Sequence, residues 1–160
     1  PSLIGVGASG LFANVHCDTE HKQFTESLMR AVGVAVWLTE ETQIDSVTAL
    51  SGSGPAYFLL IFESLIKAAV EQGLDEKQAK LLTLQTAIGA ARMALESEDS
   101  LTELRQKVTS PGGTTACGIK SLQSNHLETV LAEALLAAKN RSQAMAAIFT
   151  AGENKALDKK

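Results

Sequence analysis

A chain of 160 residues that is 45% hydrophobic but only 4% aromatic has to build its core from Leu, Ile, Val and Ala on helical faces, and its length suits one domain able to bury roughly 70% of its unfolded surface. A formal net charge of -4 and a pI near 5.4 argue against a nucleic-acid partner, which requires clustered Lys and Arg. Cys17 and Cys117 are too few for a disulfide framework, so a reducing cytoplasmic setting is expected, and no run approaches membrane-spanning length and no signal peptide opens the chain.

The chain starts Pro1-Ser2-Leu3 without an initiator Met, which points to a processed chain or to a segment of a longer protein. From Leu3 to His16 the apolar residues Ile4, Val6, Ala8, Leu11, Ala13 and Val15 nearly alternate, which predicts one or two short strands with a bend around Gly10. Asp18 is an N-cap candidate for a helix whose face carries Phe24, Leu28, Met29 and Val32, with Gly33 as its C-cap candidate. Val34 to Leu38 is β-prone and pairs with the opening strand. From Glu40 onward the chain reads as helical. A helix through Ile44, Val47 and Leu50 breaks at Ser51-Gly52-Ser53-Gly54-Pro55, since Gly ends helices and Pro suits the first turn of the next. The helix from Pro55 to Gln72 is apolar almost all round, so it is either the centre of the domain or an intersubunit surface. Gly73 and Asp75 separate it from a helix over Glu76 to Glu98, rich in small residues, and Leu101 to Val108 form a short amphipathic helix. Thr114 to Leu122 and the Ala-rich Leu127 to Phe149 are the last helices, and the tail with Lys155, Lys159 and Lys160 is frayed and solvated.

The stretch Ser110-Pro111-Gly112-Gly113-Thr114-Thr115 is the part most suited to chemistry. Pro111 resists continuation of the preceding helix, the glycines permit positive φ and close approach, and the threonines sit where the next helix begins. Unpaired N–H groups and the macrodipole then favour a carboxylate or phosphate. A plain cap needs one hydroxyl, whereas this stretch offers those of Ser110, Thr114 and Thr115. Gly5-Val6-Gly7-Ala8-Ser9-Gly10 matches the dinucleotide fingerprint by letter, but its context is wrong. Too little chain precedes it, a strand-like pattern follows, and Asp18 comes too soon. It reads as a bend between strands. His16, Cys17 and His21 fit no zinc spacing, and no metal is expected. Cys117 is expected to be buried rather than a nucleophile. Glu98, in an acidic run at a helix end, opposes the dipole there, so stability gives no reason for it.

Leu50-Ser51-Gly52-Ser53-Gly54-Pro55-Ala56-Tyr57, followed by Val108-Thr109-Ser110-Pro111-Gly112-Gly113-Thr114-Thr115, resembles pyrroline-5-carboxylate reductase in order, spacing and intervening helices. The resemblance covers essentially the whole chain, but only the C-terminal, helical, dimer-forming half of that enzyme. It implies a mostly α-helical domain with a short N-terminal β element, similar to the C-terminal domain of 6-phosphogluconate dehydrogenase, in an intertwined homodimer. Residues 1–160 would be one dimerisation and substrate-binding domain, with the N-terminal Rossmann domain that binds NADPH or NADH absent and the chain inactive alone. The substrate carboxylate would sit on the N–H groups of Gly113, Thr114 and Thr115, with the Thr115 hydroxyl, the catalytic group, facing the ring nitrogen. Ser110, Pro111 and Gly112 would shape the loop, Glu98 would lie near the pocket, and Pro55 would line the cleft toward the nicotinamide. The implied reaction reduces 1-pyrroline-5-carboxylate to L-proline, the last step of proline synthesis. The alternative is a non-catalytic, all-α homodimeric interaction module whose glycine loop is only a cap.

Overall fold

A computed structural model of the chain describes residues 1–157, with side chains described up to Ile148. The chain divides into two compact units, one made of Pro1–Ala56 and the chain from Leu131 onward, the other of Tyr57–Val130.

In the first unit a 3-10 turn, Ser2–Ile4, closes on Gly5 at φ 73° and leads into β1, Gly7–Leu11. The bend therefore sits at Gly5, the residue whose left-handed φ needs glycine. Gly10, where the sequence placed it, lies inside β1 and serves another purpose: a Cβ there would come within 2.8 Å of a Val47 methyl and 3.1 Å of Leu38 Cδ1. Helix α1, Thr19–Arg30, begins well beyond Gly10, so the glycine run is not a strand-to-helix turn. Asp18 caps α1 as expected by accepting the His21 N–H at 2.8 Å, and that bond holds its carboxyl below the usual range. The other end of α1 departs from expectation. It closes at Ala31, and Gly33 instead opens β2, Gly33–Trp37, at φ 151°. The strands run parallel from Gly7 opposite Gly33 to Leu11 opposite Trp37, and Leu38 N–H extends the pairing to Leu11 O at 2.7 Å. Two glycines face each other because the backbones crowd: a Cβ on Gly33 would collide with the Gly7 carbonyl. The Trp37 indole N–H donates to Glu26 at 2.8 Å and Arg30 pairs with the same carboxylate at 2.7 Å, which together hold the Glu26 carboxyl low and fasten α1 to β2.

Helix α2, Gln43–Val47, passes into a π-helical turn, Thr48–Gly52, in which Ser53 N–H reaches back to Thr48 O at 2.9 Å. Helix α3, Gly54–Glu71, follows at once. The break expected at Ser51–Pro55 is thus a local widening of one continuing helix, because the π turn absorbs the extra residue and Pro55 occupies an early position where no intrahelical N–H is needed. The consequence corrects a second expectation. Gln43–Glu71, 29 residues containing an 18-residue stretch of mean hydropathy 1.3, is long and apolar enough to cross a membrane by length and composition. Splitting the run at its glycines hid that. Ser142 Oγ donates to Asp45 Oδ1 at 2.6 Å, linking α2 to α7, Leu127–Leu157. Helix α7 continues past the expected end at Phe149, while Lys159 and Lys160 and the side chain of Lys155 lie outside the described residues.

In the second unit, Gly73 at φ 101° ends α3, and Asp75 caps α4, Glu76–Glu96, by accepting Lys77 N–H at 3.0 Å. Helices α5, Leu101–Lys107, and α6, Thr114–Ser124, complete it. The mostly helical class is as expected. The large aliphatic core expected from composition is not: among the described residues the buried apolar ones are Leu11, Ala35, Ala49 and Ala79. Phe58, Leu59 and Leu60 on α3 and Leu81 on α4 are more than half exposed, so α3 is not the centre of a domain.

Gly33→Ala forces a side chain into the Gly7 carbonyl at a positive φ and is expected to cost about 3 kcal/mol or more, read as a lowered denaturation midpoint. Asp18 has a depressed pKa, so the stability it contributes is present above the ordinary Asp range and is lost as pH falls through the lowered value. Melting curves of wild type and Asp18→Ala should therefore differ at neutral pH and converge once the pH has fallen through the lowered Asp18 value.

Candidate functional site

The geometry between α5 and α6 is built by five consecutive residues, Thr109 to Gly113. Thr109 ends α5 with a double hold, its N–H on Gln106 O at 3.0 Å and its hydroxyl on Arg105 O at 2.6 Å. Ser110-Pro111-Gly112-Gly113 then turns, closed by Gly113 N–H to Ser110 O at 3.0 Å, with Gly112 at φ 71°. Pro followed by a positive-φ Gly at the two central positions is the arrangement of a type II turn. Gly113 is extended and stands as the N-cap of α6, and a Cβ on it would press to 3.2 Å from Ser110 O.

No side chain caps α6. Thr114 and Thr115 are its first two residues rather than its cap, and Ser110, Thr114 and Thr115 are all exposed. The first donor to bond back is Cys117 N–H, to Gly113 O at 3.3 Å, so Thr114, Thr115 and Ala116 have no backbone carbonyl one turn behind them within the helix. Of the three amides expected to receive a carboxylate, Gly113's is committed inside the turn, and those of Thr114 and Thr115 remain. Oriented N–H groups on an 11-residue helix suit a negative charge. Cys117 is exposed, contrary to expectation, because position four of α6 is not covered within this chain.

At the other end of α5, Glu98 is exposed in the segment between α4 and α5. Its neighbour Asp99 is held by Lys107 Nζ at 2.5 Å and Ser97 Oγ at 2.9 Å, and the lysine, then the serine, lowers its pKa. Ser100 and Glu103 form a capping box, with Glu103 N–H on Ser100 Oγ at 3.3 Å and Ser100 N–H on Glu103 at 2.8 Å. The box was legible as Ser followed by Glu three residues on. The Asp99–Lys107 pair was not, since its spacing matches no helical neighbour rule. The second unit thus carries Glu98 and Ser110–Thr115 at opposite ends of α5. Pro55, half-buried as the second residue of α3, belongs to the first unit. His16 donates its N–H to Asn14 Oδ1 at 3.0 Å and His21 takes part in the α1 cap. No group of three His, Cys, Asp or Glu able to hold a metal occurs among the described residues. An apolar groove of about 630 Å³ lies apart from the turn, between α3 and α4, lined by Leu59, Phe62, Ile66, Val70 and Leu84.

Comparison with known proteins bears on this arrangement. The chain is 50% identical over 146 residues to the pyrroline-5-carboxylate reductase of Pseudomonas aeruginosa, covering 91% of this chain and 54% of the relative. It is 43% identical over 150 residues to that of Pasteurella multocida, covering 93% and 54%. Among solved structures it is similar to a pyrroline-5-carboxylate reductase from Coxiella burnetii, with TM-score 0.85 and 54% identity over 88% of this chain and 52% of the other. The Plasmodium falciparum pyrroline carboxylate reductase, solved with NADP bound, gives TM-score 0.82 and 35% identity over 91% and 58%. The chain spans about half the length of the curated relatives it matches. Since the profile of the family described as pyrroline-5-carboxylate reductase dimerisation matches residues 41–145, the chain belongs to the pyrroline-5-carboxylate reductase family and carries its dimerisation domain.

Proposed function

We propose that this chain is the dimerisation and substrate-binding domain of a cytoplasmic reductase that converts 1-pyrroline-5-carboxylate to L-proline with NADPH or NADH, the last step of proline biosynthesis. The observation that carries the reading is the start of α6, where a Pro–Gly turn delivers the Thr114 and Thr115 amides with no side chain capping them. A helix left uncapped by Ser110, which precedes it, and by Thr114 and Thr115, which open it, is suited to a ligand that completes the cap, and the substrate's carboxylate is the group that does so.

The Thr115 hydroxyl then addresses the ring nitrogen. Reduction of the C=N bond leaves a lone pair on that nitrogen, and a fixed hydroxyl stabilises the developing amine while the amides hold the carboxylate in register. A protonated imine needs no strong catalytic acid. On this reading Glu98 serves the same site, and Gly112 and Ser110 keep the turn in shape. For the cofactor, the residues present fit only the nicotinamide end. Pro55, rigid and half-buried at the start of α3, would line that cleft, while Gly5–Gly10 lies in a turn and a strand and offers no pyrophosphate cradle. A reduced nicotinamide, when bound, supplies the hydride. Its main holder is a separate nucleotide-binding domain, and this chain alone is inactive. The isolated parallel pair β1–β2, with Val34 and Val36 exposed, supports the existence of such a neighbour, because parallel sheets are normally wider and covered on both faces.

The same domain forms an intertwined homodimer. Supporting this are the exposed Phe58, Leu59 and Leu60 of α3, the apolar groove beside them and the family's dimerisation description. On this reading the apolar helix packs against a second copy of the chain rather than lipid.

Thr115→Ala in the full-length enzyme is expected to lower kcat/KM by the equivalent of about 1 to 3 kcal/mol, one buried hydrogen bond in the transition state. An unchanged value rejects the assigned role. Light scattering at micromolar concentration should return the mass of a dimer or a multiple of it, and a clean monomer would exclude the architecture.

A further inference from the structure

We propose that Asp99 and Lys107 form a strut along α5 that fixes the spacing between Glu98 and the Ser110–Thr115 turn, so that both are positioning residues for the carboxylate site. The inference rests on the reading of that turn given above. Helix α5 has seven residues, which makes it roughly 10 Å long. Glu98 precedes one end and the turn follows the other, so any change in the pitch or tilt of α5 moves one relative to the other. Asp99 lies just before the N-cap Ser100, and Lys107 is the last helical residue. Their contact at 2.5 Å therefore runs from one end of the helix to the other.

Three further bonds make this more than a mobile surface pair. Ser97 Oγ donates to the same Asp99 oxygen at 2.9 Å and accepts the Asp99 N–H at 3.1 Å, so the carboxylate is already ordered when Lys107 arrives. Thr109 Oγ1 donates to Arg105 O at 2.6 Å, which ties the residue before the turn to the same helix. An exposed ion pair contributes little to stability. Its value here is geometric, because a displacement of about 1 Å at a binding group can cost two orders of magnitude in rate.

The test uses the full-length enzyme with Asp99→Asn, Lys107→Met, the exchanged pair Asp99→Lys/Lys107→Asp, and Thr115→Ala as reference. Steady-state kinetics are measured for the cyclic imine carboxylate, with melting temperatures alongside. Each single variant should raise KM roughly fivefold with kcat within about twofold, and the exchanged pair should return KM to within about twofold of wild type. A helix that was merely less stable would lower the melting temperature without this split. Unchanged KM in both single variants, with Thr115→Ala impaired, overturns the strut and leaves the site reading intact. Raised KM in the single variants with no recovery in the exchanged pair overturns it as well. An unimpaired Thr115→Ala removes the site reading on which the strut depends.

Discussion

Phe58, Leu59 and Leu60 follow one another on α3, at 62%, 58% and 63% exposure, so they point in three directions around the helix and none is fully covered. Burying one such side chain stabilises a fold by roughly 1.5–3 kcal/mol, and leaving several open forfeits that gain. The buried apolar residues among those described are mainly alanines, which bring backbones close but contribute little area. Much of the stabilising surface of this chain is therefore available only to association. The family it belongs to is described by its dimerisation, and the uncovered helix is the surface proposed above to serve it.

The candidate site is built differently, from short-range backbone chemistry that requires no deep core. Thr109 finishes α5, Pro111 and Gly112 turn the chain, Gly113 N–H closes the turn on Ser110 O, and α6 starts with its amides unpaired. Each bond spans only a few residues. Such a segment keeps its shape by bonds within a few residues, which suits the substrate site proposed for it. The capping box Ser100–Glu103 and the Asp99–Lys107 contact extend the same local logic to the far side of α5.

Where sequence and structure part, glycine is usually the reason. Glycine permits a bend, a left-handed residue or a close approach, and the letters do not say which. Gly5 is the left-handed residue, Gly10 makes room for Val47, Gly33 meets Gly7 across the parallel pair, and Gly112 turns the site loop. The Ser51–Pro55 stretch was misread for the same reason: a run of Gly, Ser and Pro looks like a connector, yet a π turn carries the helix through it.

Sequence by itself determined what depends on neighbours along the chain: the helical class, the cap at Asp18, the two short strands as partners and the Ser110–Thr115 turn with the family it resembles. These rest on propensity, periodicity and hydrogen bonds within four residues, all of which are written in the order of the letters. Tertiary structure alone decided that Cys117 is open to solvent, that Asp99 reaches Lys107, and that α3 is uncovered. Those outcomes turn on which atoms meet and which faces find a partner, and a one-dimensional pattern records neither.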